Sequence, residues 1–218
     1  MKKRLTVASA LFILLTTITL QQKTFISDFK LKEINIENNF LLKDEDIKKY
    51  LIPIYNKNLI TLNYSEIEKA MLNNSFIDSF DVKKKYPSTL KIKVFEKKPI
   101  AILFNKKKKF YLSEKIDLIE FKDLDDFKNL PYVFGNEKKF KIIYKDLKKI
   151  NFPFQLIKKY TYFESDRWDI TTKNEKIIKL PNRNYIKSLQ NYLEIQDKEN
   201  FKKFTIFDYR VEDQLVLK

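Results

Sequence analysis

The chain of 218 residues contains no cysteine and no histidine, and it has a single glycine, Gly135. Without thiolate or imidazole it cannot form the usual zinc site, a Ser-His-Asp triad, a Cys-His pair or a disulfide. One glycine cannot supply the glycine-rich loop through which backbone amides approach nucleotide phosphates. Adjacent carboxylates such as Asp125 and Asp126 do not face each other across a cleft, as glycosidase chemistry requires. The sequence therefore predicts a protein that is not an enzyme, with no catalytic residue, cofactor, metal site or small-molecule substrate.

Arginine is also scarce, although the chain is strongly basic. Lys and Arg number 44 against 29 Asp and Glu, for a net charge of +15, and nearly all of the cations are lysines. Nucleic-acid sites gather basic residues on one face, whereas the lysines here are spread along the whole chain. The sequence predicts a solvated basic surface and no nucleic-acid partner. The lysine run 106–109 is interpreted as an exposed hairpin turn, with contact to anionic lipid as the alternative.

The N-terminus carries the pattern of a membrane segment. Lys2, Lys3 and Arg4 precede an uncharged run from Leu5 to Leu20. As a helix this run spans roughly 24 Å, which is short for a hydrocarbon core of about 30 Å. No small-residue cleavage site follows it, so an uncleaved anchor is favoured over a signal peptide; a secreted, lysine-rich protein that binds anionic polymers remains the alternative. The positive-inside rule places the rest of the chain outside the cytoplasm.

The polar and apolar pattern after the N-terminal run predicts the order β-α-α-β-β. Residues 31–36 alternate as a strand, Asp44 is expected to cap a helix that ends at Pro53, and Asn63 is expected to cap a second helix. Residues 80–86 and 89–96 then alternate as the two strands of a hairpin.

The last fifteen residues are interpreted as an edge of a sheet. Residues 204–211 alternate, with Phe207, Tyr209 and Val211 on one face and Asp208 and Arg210 on the other, and residues 215–217 form a last short strand. An edge strand presents unpaired backbone groups, which are either blunted by charge or used to add a strand from a partner. From the residues alone, both outcomes stay open.

Several motifs resemble the FtsQ/DivIB family of bacterial cell-division proteins. They are Pro87-Ser88-Thr89-Leu90, Glu96-Lys97-Lys98-Pro99-Ile100-Ala101, Leu130-Pro131 followed by Gly135, Arg167-Trp168-Asp169-Ile170 and Asp208-Tyr209-Arg210. Trp168 is interpreted as a core anchor of a sheet. We expect Gly135 to adopt a positive φ, because the rest of the chain is free of glycine.

The resemblance implies an α+β fold in four parts. A cytoplasmic tail (residues 1–4) precedes a single transmembrane helix (5–22), a POTRA domain of order β-α-α-β-β (29–97), and a mostly antiparallel β domain with one or two helices (98–218). It also implies a single-pass protein of the cell inner membrane, with its C-terminal domains in the periplasm. The implied function is that of a non-enzymatic scaffold linking early and late divisome proteins during septum assembly.

The resemblance further implies FtsB and FtsL as partners, docked at the C-terminal edge. The candidate contact residues there are Phe207, Tyr209, Arg210, Val211, Leu215, Val216 and Leu217. Val82 and Lys84, on the POTRA hairpin, form a second candidate edge for another divisome protein. A POTRA-bearing membrane chaperone or translocation subunit that handles exported polypeptides is the alternative function.

Overall fold

The computed structural model describes residues 2–17, 29–211 and 214–218. The chain divides into two compact units, with the boundary between Lys97 and Lys98.

The first helix, α1, runs from Lys2 to Thr17 and overlaps the segment interpreted as a membrane anchor over residues 5–17. Residues 18–22, the remainder of the predicted anchor, lie outside the described residues. Among the helices that are described, none combines the length and the apolar character needed to cross a bilayer.

The first unit has the predicted order of elements after α1, and its strands form a three-stranded sheet. In this sheet β3 is central, with β1 parallel to it on one side and β2 antiparallel on the other. The elements are β1 (Glu33–Glu37), α2 (Asp44–Leu51), a 3₁₀ turn (Ile52–Ile54), α3 (Tyr64–Met71), β2 (Ile77–Lys85) and β3 (Thr89–Glu96).

The core of this unit forms because the apolar residues recur with the period of a strand or a helix, so that each element has one apolar side to bury. Alternate residues of β1 and β3 are buried, as are the i, i+4 pairs of the two helices. These residues are Ile34, Ile36, Leu90, Ile92, Val94, Ile47, Leu51, Ile67 and Met71.

The predicted side-chain caps of the two helices do not form. Asp44 is the first residue of α2, and the N-cap position is Lys43. The Asp44 carboxylate instead accepts a hydrogen bond of 2.8 Å from Asn39 Nδ2. Asn63 does occupy the N-cap position of α3, but its side chain makes no capping bond. The carboxylates in the first turn of α2 still favour the helix, since they lie at the positive end of its dipole.

Glu96, the acidic residue of the motif shared with the family, has a structural role. Its carboxylate accepts hydrogen bonds from three successive backbone amides, those of Phe40 (3.0 Å), Leu41 (2.8 Å) and Leu42 (2.9 Å). Three N–H groups aimed at one carboxylate form a strong anion-binding concavity. Glu96 therefore holds the loop between β1 and α2 against the end of β3.

The second unit contains a nine-stranded mixed sheet and three helices. Its elements are β4 (Pro99–Asn105), β5 (Lys108–Ser113), β6 (Leu118–Glu120), β7 (Tyr132–Phe134), α4 (Glu137–Lys149), β8 (Ile157–Phe163), β9 (Arg167–Thr172), β10 (Ile177–Lys179), α5 (Tyr185–Ile195), α6 (Glu199–Lys202), β11 (Ile206–Asp208) and β12 (Val216–Leu217).

The strands of this sheet follow the order β12-β11-β10-β9-β8-β7-β4-β5-β6. Among the described strands, β4–β7, β7–β8 and β10–β11 are parallel pairs and the others are antiparallel. The fold is thus α+β with a largely antiparallel sheet, and its helices are two of ordinary length and one of a single turn.

One face of the sheet carries the main core. Alternate strand residues form one buried cluster with the inner residues of α4 and α5. The cluster includes Leu103, Val133, Tyr160, Ile170, Ile178 and Phe207 from the strands, and Phe140, Ile143, Leu189 and Tyr192 from the helices.

Gly135 and Trp168 are packed together at the end of β7. A Cβ atom on Gly135 would lie 2.6 Å from Tyr162 Cβ and 3.3 Å from Trp168 Cη2. The φ of Gly135 is positive as expected, but its value of +159° is close to the extended region. The requirement for glycine therefore comes mainly from the close approach of the neighbouring strand. Trp168 is buried in the core cluster, as predicted.

We expect Gly135→Ala to destabilise the second unit by about 1–3 kcal/mol, because the added methyl group overlaps Cβ of Tyr162, which is fixed by the backbone of β8. Urea unfolding of the purified chain, followed by the fluorescence of Trp168, measures this effect. Lys141→Ala, on the exposed surface of α4, is the control and should change stability by less than about 0.5 kcal/mol. An equally small effect of Gly135→Ala would show that the close approach is not a constraint.

Candidate partner-docking edge

The C-terminal strand β12 lies at one edge of the nine-stranded sheet and pairs antiparallel with β11. Phe207 is opposite Leu217, and Asp208 is opposite Val216. The pairing continues to the chain terminus, where Ile206 N donates to Lys218 O (3.0 Å) and Lys218 N donates to Ile206 O (3.1 Å). The edge is thus tied to the sheet up to its last residue.

The direction of these bonds decides which backbone groups of β12 face outward. Lys218 exchanges both bonds with Ile206, and in an antiparallel ladder such pairs alternate with pairs that are not hydrogen-bonded. Val216, two residues earlier, therefore also points its N–H and C=O towards β11. Leu217 lies between them and points its N–H and C=O away from the sheet, where an added strand would bind.

Arg210 is not a free cation, because its guanidinium is held by Asp208. Arg210 Nε lies 2.8 Å from Asp208 Oδ1 and Arg210 Nη2 lies 2.6 Å from Asp208 Oδ2. The Asp208 carboxylate also accepts a bond from the Arg210 backbone N–H (3.1 Å). Among the described residues Nη1 has no acceptor, and the side chain remains 44% exposed. The sequence analysis predicted that Arg210 contacts a partner, but most of the hydrogen-bonding capacity of its guanidinium is therefore used within the chain.

The Asp208–Arg210 pair belongs to a row of charges across three strands. Lys179 of β10 is paired with Asp169 of β9 on one side and with Asp208 of β11 on the other. Arg167 Nη1 lies 3.2 Å from Asp169 Oδ1 at the far end of the row. The hydrogen bonds from Arg210 hold the pKa of Asp208 below its ordinary value, whereas burial raises the pKa of Asp169.

The other C-terminal residues predicted to contact a partner differ in exposure. β11 ends at Asp208, so the predicted alternation up to Val211 is wrong beyond that point. Phe207 and Tyr209 are buried, and the Tyr209 hydroxyl lies 2.9 Å from Asn191 Oδ1. Asp208 is buried too, although the pattern placed it on the outer face. Val211 and Val216 are exposed.

A shallow groove next to β12 was missed by the sequence analysis. It lies between the short helix α6 and β12, and its apolar lining consists of Phe201, Phe204 and Leu217. Glu199 and Lys203 stand at its rim. The two phenylalanines, three residues apart before the last strands, were the available signal, since this spacing puts both on one side of a helical turn.

The second candidate edge is β2, an outer strand of the three-stranded sheet. Val82 and Lys84 alternate with exposed residues and are themselves half-buried. The Lys84 ammonium donates to the carbonyl oxygens of Leu62 (2.7 Å) and Ile60 (3.2 Å). Lys84 therefore connects β2 to the segment before α3, and substituting it would disturb the domain itself.

Comparison with known proteins agrees with this architecture. The family model of the FtsQ-type POTRA domain matches residues 29–97, which places the chain among POTRA-bearing proteins. The cell division protein FtsQ of Rickettsia bellii is 30% identical over 184 residues, covering 82% of this chain and 67% of the relative. The cell division protein FtsQ of Rickettsia typhi is 27% identical over 174 residues, covering 79% of this chain and 65% of the relative. The chain belongs to the FtsQ/DivIB family of bacterial cell-division proteins.

These matches cover about two thirds of the length of the curated relatives. A solved structure, the major extracytoplasmic domain of the cell division protein DivIB from Geobacillus stearothermophilus, is 15% identical with a TM-score of 0.35. The matched region covers 49% of this chain and 96% of the DivIB domain. The family assignment rests on the sequence relatives.

We expect Asp208→Asn to lower the stability of the chain at neutral pH by about 1 kcal/mol, because the pair with Arg210 is partly exposed to solvent. Since the folded-state pKa of Asp208 is depressed, its contribution is present above the unfolded pKa of about 3.9 and is lost as the pH falls through the folded value. The stability difference between variant and wild type should therefore shrink below about pH 4.

Chemical denaturation between neutral and acidic pH measures this difference, with Asp126→Asn as the control. Asp126 is exposed, so that variant should follow the wild type at every pH. A difference for Asp208→Asn that does not change with pH would contradict the assigned ion pair.

Proposed function

We propose that the chain is a non-enzymatic, membrane-anchored scaffold of the bacterial cell-division machinery. It links early and late divisome proteins during septum assembly and docks FtsB and FtsL at its C-terminal edge. Membership of a family of cell-division proteins supports the divisome role. The single observation that carries the docking proposal is the outward-facing backbone of Leu217 at the end of the sheet.

Docking proceeds by addition of a partner strand to β12. Each added ladder bond contributes only about 1 kcal/mol net, so side chains must contribute as well. On the core side of the sheet, the groove of Phe201, Phe204 and Leu217 accepts an apolar side chain of the partner. On the opposite side, Val216 offers an exposed apolar contact beside Arg210. The partner segment is therefore an extended strand with apolar residues on both faces.

Arg210 contributes to docking as part of an ion pair. Its Nη1 group binds a partner carboxylate while Asp208 holds the rest of the guanidinium in place. Because Asp208 fixes the orientation of the guanidinium, less side-chain entropy is lost on binding. Phe207 and Tyr209 act indirectly, because they are buried in the core cluster and hold the last strands in place. Val211 and Leu215 lie beside the docked strand in this proposal.

In this proposal residues 5–22 anchor the protein in the inner membrane. Residues 1–4 are cytoplasmic, and residues 29–218 are periplasmic. The charges of Lys2, Lys3 and Arg4 beside an uncharged run support this orientation.

The outer strand β2 of the POTRA domain is a second docking edge for another divisome protein. Its backbone is available along one side, because β2 pairs only with β3. The contact involves Val82 and the strand backbone, while Lys84 serves to hold β2 in position.

We expect Leu217→Pro to weaken capture of the FtsB/FtsL pair, because proline removes the outward N–H that a partner strand needs. Leu217→Ala is the matched control, since it shortens the same side chain and keeps the N–H. Capture by Leu217→Pro should be weaker than by Leu217→Ala by about tenfold, equivalent to roughly one or two ladder bonds. The measurement is affinity capture of the purified pair, together with thermal unfolding of each variant. Equal capture by two folded variants would contradict strand addition at β12.

The proposed topology predicts the behaviour of two reporter fusions. A reporter that is active only outside the cytoplasm should work when fused after Lys218 and fail when fused before Met1. Replacing Lys2, Lys3 and Arg4 by glutamate should lower the activity of the C-terminal fusion, because the positive charges set the orientation. An active N-terminal fusion with an inactive C-terminal fusion would overturn the proposed location.

A further inference from the structure

The face of the large sheet opposite the main core carries a group of four aromatic residues. Phe104 of β4 is paired with Phe134 of β7, and Phe134 is paired with Thr161 of β8. Paired residues share a face, so Tyr132 and Phe163, two positions away from Phe134 and Thr161, lie on this face as well. We refer to Phe104, Tyr132, Phe134 and Phe163 as the aromatic strip.

Three of the four rings, those of Phe104, Tyr132 and Phe134, are packed against one another, and all four residues remain accessible. The centroids of Phe104 and Phe134 are 4.8 Å apart with an interplanar angle of 13°, and Tyr132 meets Phe104 edge-on at 5.5 Å. Phe134 is 39% exposed, and the other three residues are half-buried.

Cations complete the strip at both ends. Lys109 Nζ lies 5.4 Å from the ring centroid of Phe104, and the guanidinium of Arg167 lies 4.1 Å from that of Phe163. Lys159 shares the face, because it is paired with Tyr132. Neither Lys109 nor Lys159 has a carboxylate within ion-pair distance among the residues that the structure describes. The strand position beside the strip that carries a carboxylate is Asp169, paired with Thr161, and this carboxylate is already bound to Arg167.

Arg167 is held in a fixed orientation. Its Nε donates to Ser165 Oγ (3.1 Å) and its Nη1 donates to Asp169 Oδ1 (3.2 Å), while the ring of Phe163 lies beneath it. Its Nη2 has no acceptor among the described residues. A partly buried arginine stacked on an aromatic ring has the features of a binding hot spot.

We propose that the aromatic strip docks an acidic segment of a partner protein that carries apolar side chains between its carboxylates. Charge complementarity selects this occupant, since Lys109 and Lys159 have no ion-pair partner among the described residues and Asp169 is neutralised by Arg167. Phe104 is in contact with Lys109 and stacked on Phe134, so it presents its ring edge, which carries positive partial charge and favours carboxylates, while the exposed Phe134 offers an apolar contact. A second copy of the chain is disfavoured by the net charge of +15.

The test titrates the full chain in detergent micelles with a short labelled peptide that alternates glutamate and leucine. Phe134→Ser and Lys109→Glu should each weaken binding by at least about fivefold. The matched controls are Ile142→Ser and Lys141→Glu, which change an exposed apolar residue and an exposed lysine on α4, and they should leave the affinity within about twofold. Thermal unfolding verifies that all four variants are folded.

Two further peptides separate the proposed chemistry from simple attraction between charges. Replacing leucine by serine, or glutamate by glutamine, should each weaken binding. The proposal would be overturned if the serine peptide bound as tightly as the leucine peptide, or if no peptide bound. It would also be overturned if the strip variants and the control variants lost the same affinity. Phe134-dependent binding of phosphatidylglycerol vesicles without peptide binding, or Phe134-dependent self-association, would overturn it too. Deleting Leu215 to Lys218 should leave peptide binding unchanged, so a failure of docking at β12 does not count against the strip.

Discussion

The helices of the second unit lie on one side of its sheet, and this arrangement determines where the sheet can meet other molecules. Each strand has to place apolar residues beneath α4 and α5, so residues such as Leu103 and Ile170 are fully buried. Within the described part of the second unit, the opposite face is covered beside β5 and β6, where Phe121 and Phe127 pack on Tyr111. From β7 to β12 that face has no helix among the described elements. The open face is a consequence of this arrangement, whereas the exposed edge at β12 arises because the sheet is open.

Two residues of the family motifs act by holding backbone segments together. Gly135 allows β8 to approach the end of β7 closely, since a side chain there would overlap Tyr162. Glu96 supplies the acceptor for three amides in the loop after β1. At both positions the local geometry favours the residue type that is present.

Local patterns in the sequence were sufficient to predict the POTRA order, but long-range pairings were not accessible to them. The hairpin of β2 and β3 and the two helices follow from alternation and from i, i+4 spacing, which depend on near neighbours. The parallel pairs β4–β7 and β10–β11 join segments separated by whole elements, and no local signal encodes them. The same limitation applies to side chains: the sequence could not show that Lys84 bonds to Leu62, or that Asp208 already occupies the guanidinium of Arg210.

The two surfaces proposed on this sheet depend on different physical interactions. At β12 the charges are largely compensated, because Asp208 is paired with Arg210, so affinity there has to come from backbone bonds and apolar contacts. At the aromatic strip, Lys109 and Lys159 are uncompensated, so long-range attraction contributes more and is screened by salt. Partners at the strip should therefore associate quickly and be sensitive to ionic strength, whereas a strand at β12 should dissociate slowly and depend little on salt. A scaffold with both surfaces could hold one partner persistently while exchanging another.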